Sequence, residues 1–299
     1  MRRRFIILSV PVILMAAVAA VSCTPQHIPS EPEMVLEGWI DEGGHPVVML
    51  HKSINFTEDF DTFDELVGEK VIYFGKVTVS DGETSAILTG RLDTTYLPPY
   101  TYSSVRIMGE AGKTYYVEAE YEGKKVSATT TIPSKAVFDS LAVESIPEKP
   151  GFFRLTGYLT DGNAGSGYYV VFYRYKGGKQ YWNSLHGVAS GLAADASGVI
   201  RIPIYKNMSG TSLVENDSIS TRFFQLGDTL DVKIAAVDDV SYRFWDNFSS
   251  LTISSTVPFL PVNENLFTNV SGGRGYWCGY GSSTYRIIPE SDTVLRWEE

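Results

Sequence analysis

Residues 113–133 alternate twice between apolar and polar side chains, and this pattern restricts the fold more than any other stretch of the chain. One set of alternate residues is Tyr115, Val117, Ala119 and Tyr121, and the set between them is Thr114, Tyr116, Glu118 and Glu120. Because successive side chains of a strand point to opposite faces, an extended chain would place each set on its own face. Glu122 and Gly123 separate the two alternations. The stretch therefore predicts a β-hairpin with one buried face.

Similar patterns fill the rest of residues 34–134. Two apolar runs flank Gly43 and Gly44, and residues 70–90 contain another pair around Asp81 and Gly82, a favoured tight-turn dipeptide. Six or seven short strands with turn signals between them predict an immunoglobulin-like β-sandwich, although the cysteine pair of antibody domains is absent.

The second half of the chain predicts further strands and one helix. The strand-like runs are residues 152–159, 168–175, 179–185, 198–205 and 228–237. Residues 238–254 instead space Tyr242, Trp245, Phe248 and Leu251 on a helical stripe, with Asp239 or Ser241 as the cap. We expect a mainly β protein in which residues 135–299 form a second β-sandwich-like domain, closed at one end by a short helix. A helix that binds a partner is the alternative.

The first 33 residues have the features of an export signal. Three arginines precede an uncharged apolar run from Phe5 to Val21, as in a secretory signal peptide. Ala20, Ser22 and Cys23 then form a bacterial lipobox-like site. We expect residues 1–22 to be a signal peptide cleaved after Ser22, Cys23 to be lipidated, and residues 23–33 to form a proline-containing tether. An ordinary signal peptide and an uncleaved anchor are the alternatives.

Charge and cysteine content exclude several functions. The formal net charge of −10 argues against a nucleic-acid partner, which would need clustered Lys and Arg. Cys278 is the second of two cysteines, so lipidation of Cys23 leaves it without a disulfide partner. We therefore expect a fold that does not depend on a disulfide.

Residues 268–283, TNVSGGRGYWCGYGSS, combine glycines with aromatic residues. A phosphate-binding loop is disfavoured because no Gly-Lys-Ser/Thr occurs and Cys278 stands where a dinucleotide loop has its third glycine. We expect Gly272, Gly273, Gly275 and Gly279 to permit positive φ and close strand approach. We also expect Cys278 to be a packed small side chain, with a reactive thiol as the alternative.

No metal, cofactor or catalytic motif stands out in the sequence. The four histidines are scattered, and the acidic run of residues 58–65, with Glu58, Asp59, Asp61, Asp64 and Glu65, lacks the spacing of a calcium loop. A solvated connection is the favoured interpretation of that run, and a calcium site is the alternative. Asp161 to Gly165 is predicted to be a turn. Paired carboxylates of a glycoside hydrolase stay open because they leave no sequence signature.

One strand suggests a ligand-binding face. Tyr169, Tyr173 and Tyr175 share one face of the predicted strand 168–175, and Tyr181 and Trp182 follow its turn. Solvent-facing aromatic side chains can stack on sugars or peptides. The alternative is a strand that is buried on both faces.

Five segments occur in a characteristic order: the lipobox cysteine, residues 34–53, residues 112–133, FDSL at 138–141 and the Asn269-Val-Ser-Gly-Gly-x-Gly run. In that order they resemble a Bacteroidota lipoprotein family, domain of unknown function 4249. The family usually has a shorter hydrophobic-Phe-Gly pattern where Tyr276, Trp277 and Cys278 stand. The resemblance implies an outer-membrane lipoprotein built of β domains and often encoded beside TonB-dependent receptors, and it implies no catalytic residues.

From these observations we expect a non-catalytic outer-membrane lipoprotein that is an accessory or ligand-handling partner of a TonB-dependent transporter. It would face either the periplasm or the cell surface. A surface adhesin or glycan-binding module is the second candidate, and a hydrolase is the third. We expect neither a cofactor nor a metal ion.

Overall fold

The computed structural model of this chain describes residues 32–53, 62–161, 165–206, 222–254 and 266–296. The predicted signal peptide, Ser22 and Cys23, and nearly all of the predicted tether lie outside the described residues. So do residues 58–61 of the acidic run, which include Glu58, Asp59 and Asp61. The predictions for these segments therefore stay predictions.

The described residues form a mainly β protein, as the sequence predicts. The strands of the first half are β1 (Met34–Asp41), β2 (Val47–Lys52), β3 (Lys76–Ser80), β4 (Ser85–Ile87), β5 (Thr89–Leu92), β6 (Tyr100–Ser103), β7 (Thr114–Tyr121) and β8 (Lys124–Thr131). Those of the second half are β9 (Ser140–Ser145), β10 (Phe152–Thr160), β11 (Tyr168–Tyr175), β12 (Trp182–Ser190), β13 (Val199–Ile204), β14 (Phe224–Gln225), β15 (Leu230–Ala236), β16 (Arg274–Ile287) and β17 (Thr293–Arg296).

Two α-helices accompany the strands. The predicted helix is confirmed as α2 (Asp239–Ser254). The other helix, α1 (Phe63–Lys70), was not expected from the sequence because its acidic residues resembled a solvated connection. Thr62 begins this helix by accepting a hydrogen bond from the Glu65 backbone N–H at 3.1 Å. A threonine followed three residues later by a glutamate is a helix-start signal, so the sequence did contain the information.

The strands form three sheets. The large sheet has the order β12-β11-β15-β16-β1-β2-β6-β5. The first cover sheet has the order β4-β3-β7-β8, and the second has the order β13-β10-β9-β17, with β14 also beside β10. Most neighbours are antiparallel, but β1 pairs with β16 in parallel, with Val35 opposite Arg274 and Asp41 opposite Tyr280. The predicted hairpin of residues 113–133 is confirmed as β7 and β8.

Each cover sheet buries a different part of the large sheet. The first interior contains side chains from β1, β2, β6, β7, β8 and β16, among them Leu36, Leu50, Tyr102, Tyr115 and Trp277. The second interior contains side chains from β9, β10, β11, β13 and β15, among them Leu155, Val171, Ile202 and Ile234. The fold therefore consists of two β-sandwiches, and they share one hydrogen-bonded sheet.

Strand β16 is the element that joins the two sandwiches. Its first half pairs with β1 through residues 274–280, and its second half pairs with β15 through residues 281–287. On one face it contributes Trp277 to the first interior and Ile287 to the second. Residues 33–299 accordingly cluster as one compact unit.

The connection between β8 and β9 crosses β16 at its smallest side chains. A Cβ atom on Gly279 would lie 3.1 Å from the Ile132 backbone nitrogen, and one on Gly281 would lie 2.3 Å from the Pro133 carbonyl oxygen. Ser283 donates a hydrogen bond to the Ala136 carbonyl at 2.6 Å. The predicted domain division at residues 134 and 135 falls in this connection.

Candidate functional site

The glycines at the start of β16 are required for close backbone approach, which supports the geometric interpretation of residues 268–283. Gly272 and Gly275 have φ values of 79° and 113°, which L side chains rarely adopt. The expectation of positive φ was wrong for Gly273 and Gly279. Gly273 is instead restricted by proximity, because a Cβ atom there would lie 2.3 Å from the Met34 carbonyl oxygen.

Polar side chains continue the hydrogen bonding of β16 where β15 has ended. Thr268 Oγ1 donates to the Gly275 carbonyl at 2.8 Å. The Asn269 amide donates to the Trp277 carbonyl at 2.8 Å and accepts from the Trp277 N–H at 2.9 Å. Thr130 Oγ1 accepts from the Gly279 N–H at 2.8 Å. These side chains take the place of a neighbouring strand, since buried backbone groups need partners.

Cys278 lies under helix α2 on the other face of β16. It is fully buried in a third apolar cluster with Phe172, Trp245 and Tyr280. Burial raises the pKa of the thiol to about 12, although hydrogen bonds from Ser241 and Tyr280 oppose the rise. A protonated, enclosed thiol is a poor nucleophile, which supports the packed side chain over the reactive thiol.

The beginning of α2 is fixed to the first sandwich by Asp238. The Asp238 carboxylate accepts from the Ser241 N–H at 2.8 Å, so Asp238 is the cap, and the expectation of Asp239 or Ser241 was wrong. Its second oxygen accepts from Thr130 Oγ1 at 2.8 Å and from the Thr131 N–H at 2.9 Å. The sequence could not reveal these contacts, because residues 130 and 238 meet only in the folded chain. Helix α2 therefore covers one face of the large sheet.

Cys278 should react slowly with thiol reagents in the folded protein. At pH 7 we expect labelling by an aromatic disulfide reagent to require denaturant, because the thiol is both buried and held protonated. When both proteins also carry Cys23→Ala, so that Cys278 is their one thiol, Cys278→Ala should reduce the labelling of denatured protein to background and keep the fold. Complete labelling of native protein within seconds would contradict the packed interpretation.

The predicted ligand face of β11 is not open to solvent. Tyr169 and Tyr173 are each 4% exposed, because the second cover sheet packs over this side of the strand. Tyr169 donates to Asp161 at 2.6 Å, and Asp161 also accepts from the Gly165 N–H. Trp182 packs against the same interior, whereas Tyr175 is 41% exposed. The structure thus separates the predicted ligand residues, and it places Tyr181 on the opposite face of the large sheet.

On that opposite face Tyr181 lies beside a buried lysine. Lys233 has its ammonium 2.8 Å from the Asp41 carboxylate. Three aromatic rings surround the ammonium, with centroids 4.6 Å away for Tyr280, 5.0 Å for Tyr181 and 5.2 Å for Phe172. Aromatic rings attract a desolvated cation electrostatically, so this cage stabilises a charge that burial alone would disfavour.

A buried carboxylate, Asp231, lies next to this cage. Asp231 has a side chain only 5% exposed, and its two oxygens accept from Arg174 at 3.0 Å and from Arg286 at 2.8 Å. The hydrogen bonds from Arg286, and then those from Arg174, lower the pKa of Asp231 against the effect of burial. Arg174 also lies over the Tyr181 ring at 4.4 Å. The buried Asp231 carboxylate therefore fixes the positions of both guanidinium groups.

A similar arrangement stands in the neighbouring loops. Asp93 has a side chain 8% exposed and accepts from Lys179 at 3.0 Å, with Arg91 at 3.5 Å. A hydrogen bond from Thr95, followed by that from Lys179, lowers the pKa of Asp93 to about 2. Gln180 accepts from the Leu97 N–H at 3.0 Å, which ties the loop after β5 to the loop after β11.

Tyr96 joins the two arrangements into one surface. Its backbone N–H donates to the Asp93 carbonyl at 3.1 Å, in the loop that Gln180 ties to the loop after β11. Burial and then the charge of Asp93 raise the pKa of Tyr96, whereas the charges of Lys179, Arg91 and Arg174 oppose the rise. We call this surface the cation–tyrosine patch. Its members are Arg91, Tyr96, Arg174, Lys179, Tyr181 and Arg286. Sequence analysis identified only Tyr181, because the six residues come from distant segments of both sandwiches and no local pattern links them.

The patch has the chemistry of a binding surface. Its cations can donate hydrogen bonds to an anion, and guanidinium groups match carboxylate and sulfate geometry particularly well. Its carboxylates are held ionised by their partners, so neither is suited to donate a proton. Within the described residues no group of three or more His, Cys, Asp or Glu side chains could hold a metal ion. No helix among those residues is both long and apolar enough to span a membrane.

Comparison with known families gives one match. The family model described as Domain of unknown function (DUF4249) matches residues 23–286 of the chain. The match begins at Cys23 and includes both sandwiches as far as the last residues of β16. No curated protein matches the chain.

Proposed function

Because the chain belongs to the family of the domain of unknown function 4249, we propose that it is a non-catalytic, lipid-anchored protein of a bacterial outer membrane. Its role would be to handle a ligand as the accessory partner of a TonB-dependent transporter. Residues 33–299 form one compact β unit that presents the cation–tyrosine patch. The lipobox-like sequence at Ala20 to Cys23 supplies the anchor in this proposal.

The observation that carries the proposal is the state of the patch carboxylates. Catalysis by paired acids requires one carboxyl group with a raised pKa that can give up a proton. Asp231 and Asp93 instead have lowered pKa values because cations and hydroxyl groups bind them. Carboxylates of this kind orient cations toward a ligand, which favours binding over hydrolysis.

A surface adhesin or glycan-binding module is the second candidate. Tyr96 and Tyr181 stand among the cations of the patch, and Trp39 lies next to Tyr96 with ring centroids 6.1 Å apart. Aromatic side chains beside hydrogen-bond donors are a common way to bind sugars. The two candidates differ in the partner, since only the first requires a barrel protein in the same membrane.

Cys23→Ala should remove the protein from the outer-membrane fraction. Each buried acyl methylene contributes about 0.8 kcal/mol, so loss of the lipidated thiol removes the anchor energy almost entirely. We expect the variant to accumulate as a soluble or unprocessed chain. Immunoblotting of separated membrane and soluble fractions would show where it is. Cys278→Ala is the matched control and should fractionate like the wild type. A processed Cys23→Ala chain that stays membrane-bound would refute the lipoprotein proposal.

The transporter partnership is tested by affinity capture. The lipidated wild-type protein, solubilised in mild detergent, should retain a TonB-dependent barrel protein that mass spectrometry identifies. The same capture from cells that produce the Cys23→Ala variant should recover much less barrel protein, because the partners would no longer share a membrane. Wild-type samples that contain no barrel protein after chemical crosslinking would favour the adhesin.

A further inference from the structure

We propose that the cation–tyrosine patch binds an acidic saccharide, with carboxylate or sulfate groups on its cations and a sugar ring against Tyr96. This inference rests on the proposed ligand-handling function and names the ligand chemistry of the same surface. It goes beyond a general sugar-binding role because it requires negative charge on the ligand.

The first argument is the direction in which the charges point. Arg91, Lys179 and Arg286 are more than half exposed at 66%, 53% and 58%, whereas the Asp93 and Asp231 side chains are 8% and 5% exposed. With Arg174 the patch has four cations for two carboxylates, so its formal charge is two positive units. A ligand that approaches from solvent meets the cations first.

The second argument is the contrast with the rest of the molecule. The whole chain has a formal net charge of −10, so an anion is repelled by the protein as a whole. A cationic surface in such a chain is a local exception, built on two buried carboxylates that hold its cations in position. An anion at the patch would therefore be held by local charges and not by the net charge of the protein.

The third argument is that the cationic side chains are already fixed in position before a ligand binds. Asp231 occupies one edge of each guanidinium, Nε and Nη2 of Arg174 and of Arg286. A guanidinium has five N–H donors in a planar fork, so donors that point away from Asp231 remain on both arginines. The Tyr181 ring, 4.4 Å from Arg174, further restricts that side chain. Cations that are held before binding lose less conformational entropy when a ligand arrives.

The fourth argument favours a saccharide over an acidic peptide. Extended peptides commonly add a strand to an exposed sheet edge. Arg174, at the centre of the patch, instead lies on β11, which has a paired neighbour on each side, and Arg286 lies in the part of β16 that pairs with β15. Tyr96 and the adjacent Trp39 offer half-buried aromatic surface on this face, which suits the apolar face of a sugar ring.

Binding should be measured on the detergent-solubilised mature protein by isothermal titration calorimetry. The probes are an oligogalacturonate, which carries carboxylates, chondroitin sulfate, which carries both groups, and dextran, which is neutral. We expect binding of at least one acidic probe, weakening as salt is raised, and no binding of dextran. Equal binding of dextran, or no binding of either acidic probe at low salt, would overturn the proposal.

Two sets of variants locate the site. Arg91→Gln combined with Lys179→Gln should weaken acidic-probe binding by about tenfold or more, the usual effect of losing a charge-assisted hydrogen bond. The fold should persist, because Thr95 still donates to Asp93. The matched control is Lys125→Gln with Arg154→Gln, whose cations are 59% and 43% exposed and paired with carboxylates elsewhere. An equal loss in the control would mean non-specific charge attraction and would refute the patch.

Tyr96 separates the saccharide from other anions. Tyr96→Ala should weaken acidic-saccharide binding several-fold, whereas Tyr96→Phe should keep most of it because the ring remains. Polyglutamate should bind at least tenfold more weakly than the acidic saccharide. Equal binding of polyglutamate, or no effect of Tyr96→Ala in a protein with a normal melting curve, would contradict the saccharide proposal. Membrane anchoring and barrel capture do not depend on these results, so each proposal can fail alone.

Discussion

Among the glycines that the structure describes, Gly275 should be the one at which alanine destabilises the protein most. The residue has a φ of 113°, and a Cβ atom would lie 1.9 Å from the Leu36 carbonyl oxygen in the adjoining parallel strand. The unfavourable φ costs of order 1–3 kcal/mol. Overpacking against backbone adds about 1–3 kcal/mol more. A small domain is stable by only about 5–15 kcal/mol, so we expect a large drop in the denaturation midpoint.

Gly112→Ala is the control that isolates the contact with Leu36. Gly112 also has a positive φ, 82°, but a Cβ atom there meets nothing within 4 Å. Its substitution should cost only the conformational part. Urea denaturation followed by tryptophan fluorescence would compare the two variants. If Gly275→Ala were no less stable than Gly112→Ala, the close approach of β16 to β1 would not restrict this position.

Trp277→Ala should be the most damaging change to the first interior. The side chain is fully buried, and its Nε1 donates to the Tyr115 carbonyl in the facing cover sheet at 3.0 Å. Removing a buried tryptophan leaves a cavity and costs about 3–5 kcal/mol. Trp277→Phe keeps most of the volume and should cost less, chiefly the lost hydrogen bond and a smaller cavity.

Trp182→Ala is the comparison for Trp277, because Trp182 is only partly buried against the second interior. We expect its loss to lower the denaturation midpoint by less than half as much. Far-ultraviolet circular dichroism would follow the β structure of each variant. If Trp277→Ala and Trp182→Ala lowered the denaturation midpoint equally, the contacts of Trp277 would not stabilise the first sandwich to the expected extent.

The candidate site was much harder to predict than the strands. Sequence alternation located β7, β8 and β11, since the period of two records which residues share a face. It could not show which face of β11 another sheet would cover, and so the tyrosines at 169 and 173 were candidates for a ligand face that the second cover sheet in fact buries. Four of the six patch residues are charged and look like ordinary surface residues in the sequence.

The structural features that the sequence determined by itself are those that depend on local interactions. The strand periodicity, the Gly turns and helix α2 depend on neighbours within a few positions, and these were predictable. The tertiary structure alone decided that β1 and β16 pair in parallel and that one sheet serves both sandwiches. It also brought Arg91 and Lys179 to Asp93, and Arg174 and Arg286 to Asp231. Such contacts join residues far apart in the chain, so their energy depends on the folded arrangement of sheets rather than on any local pattern.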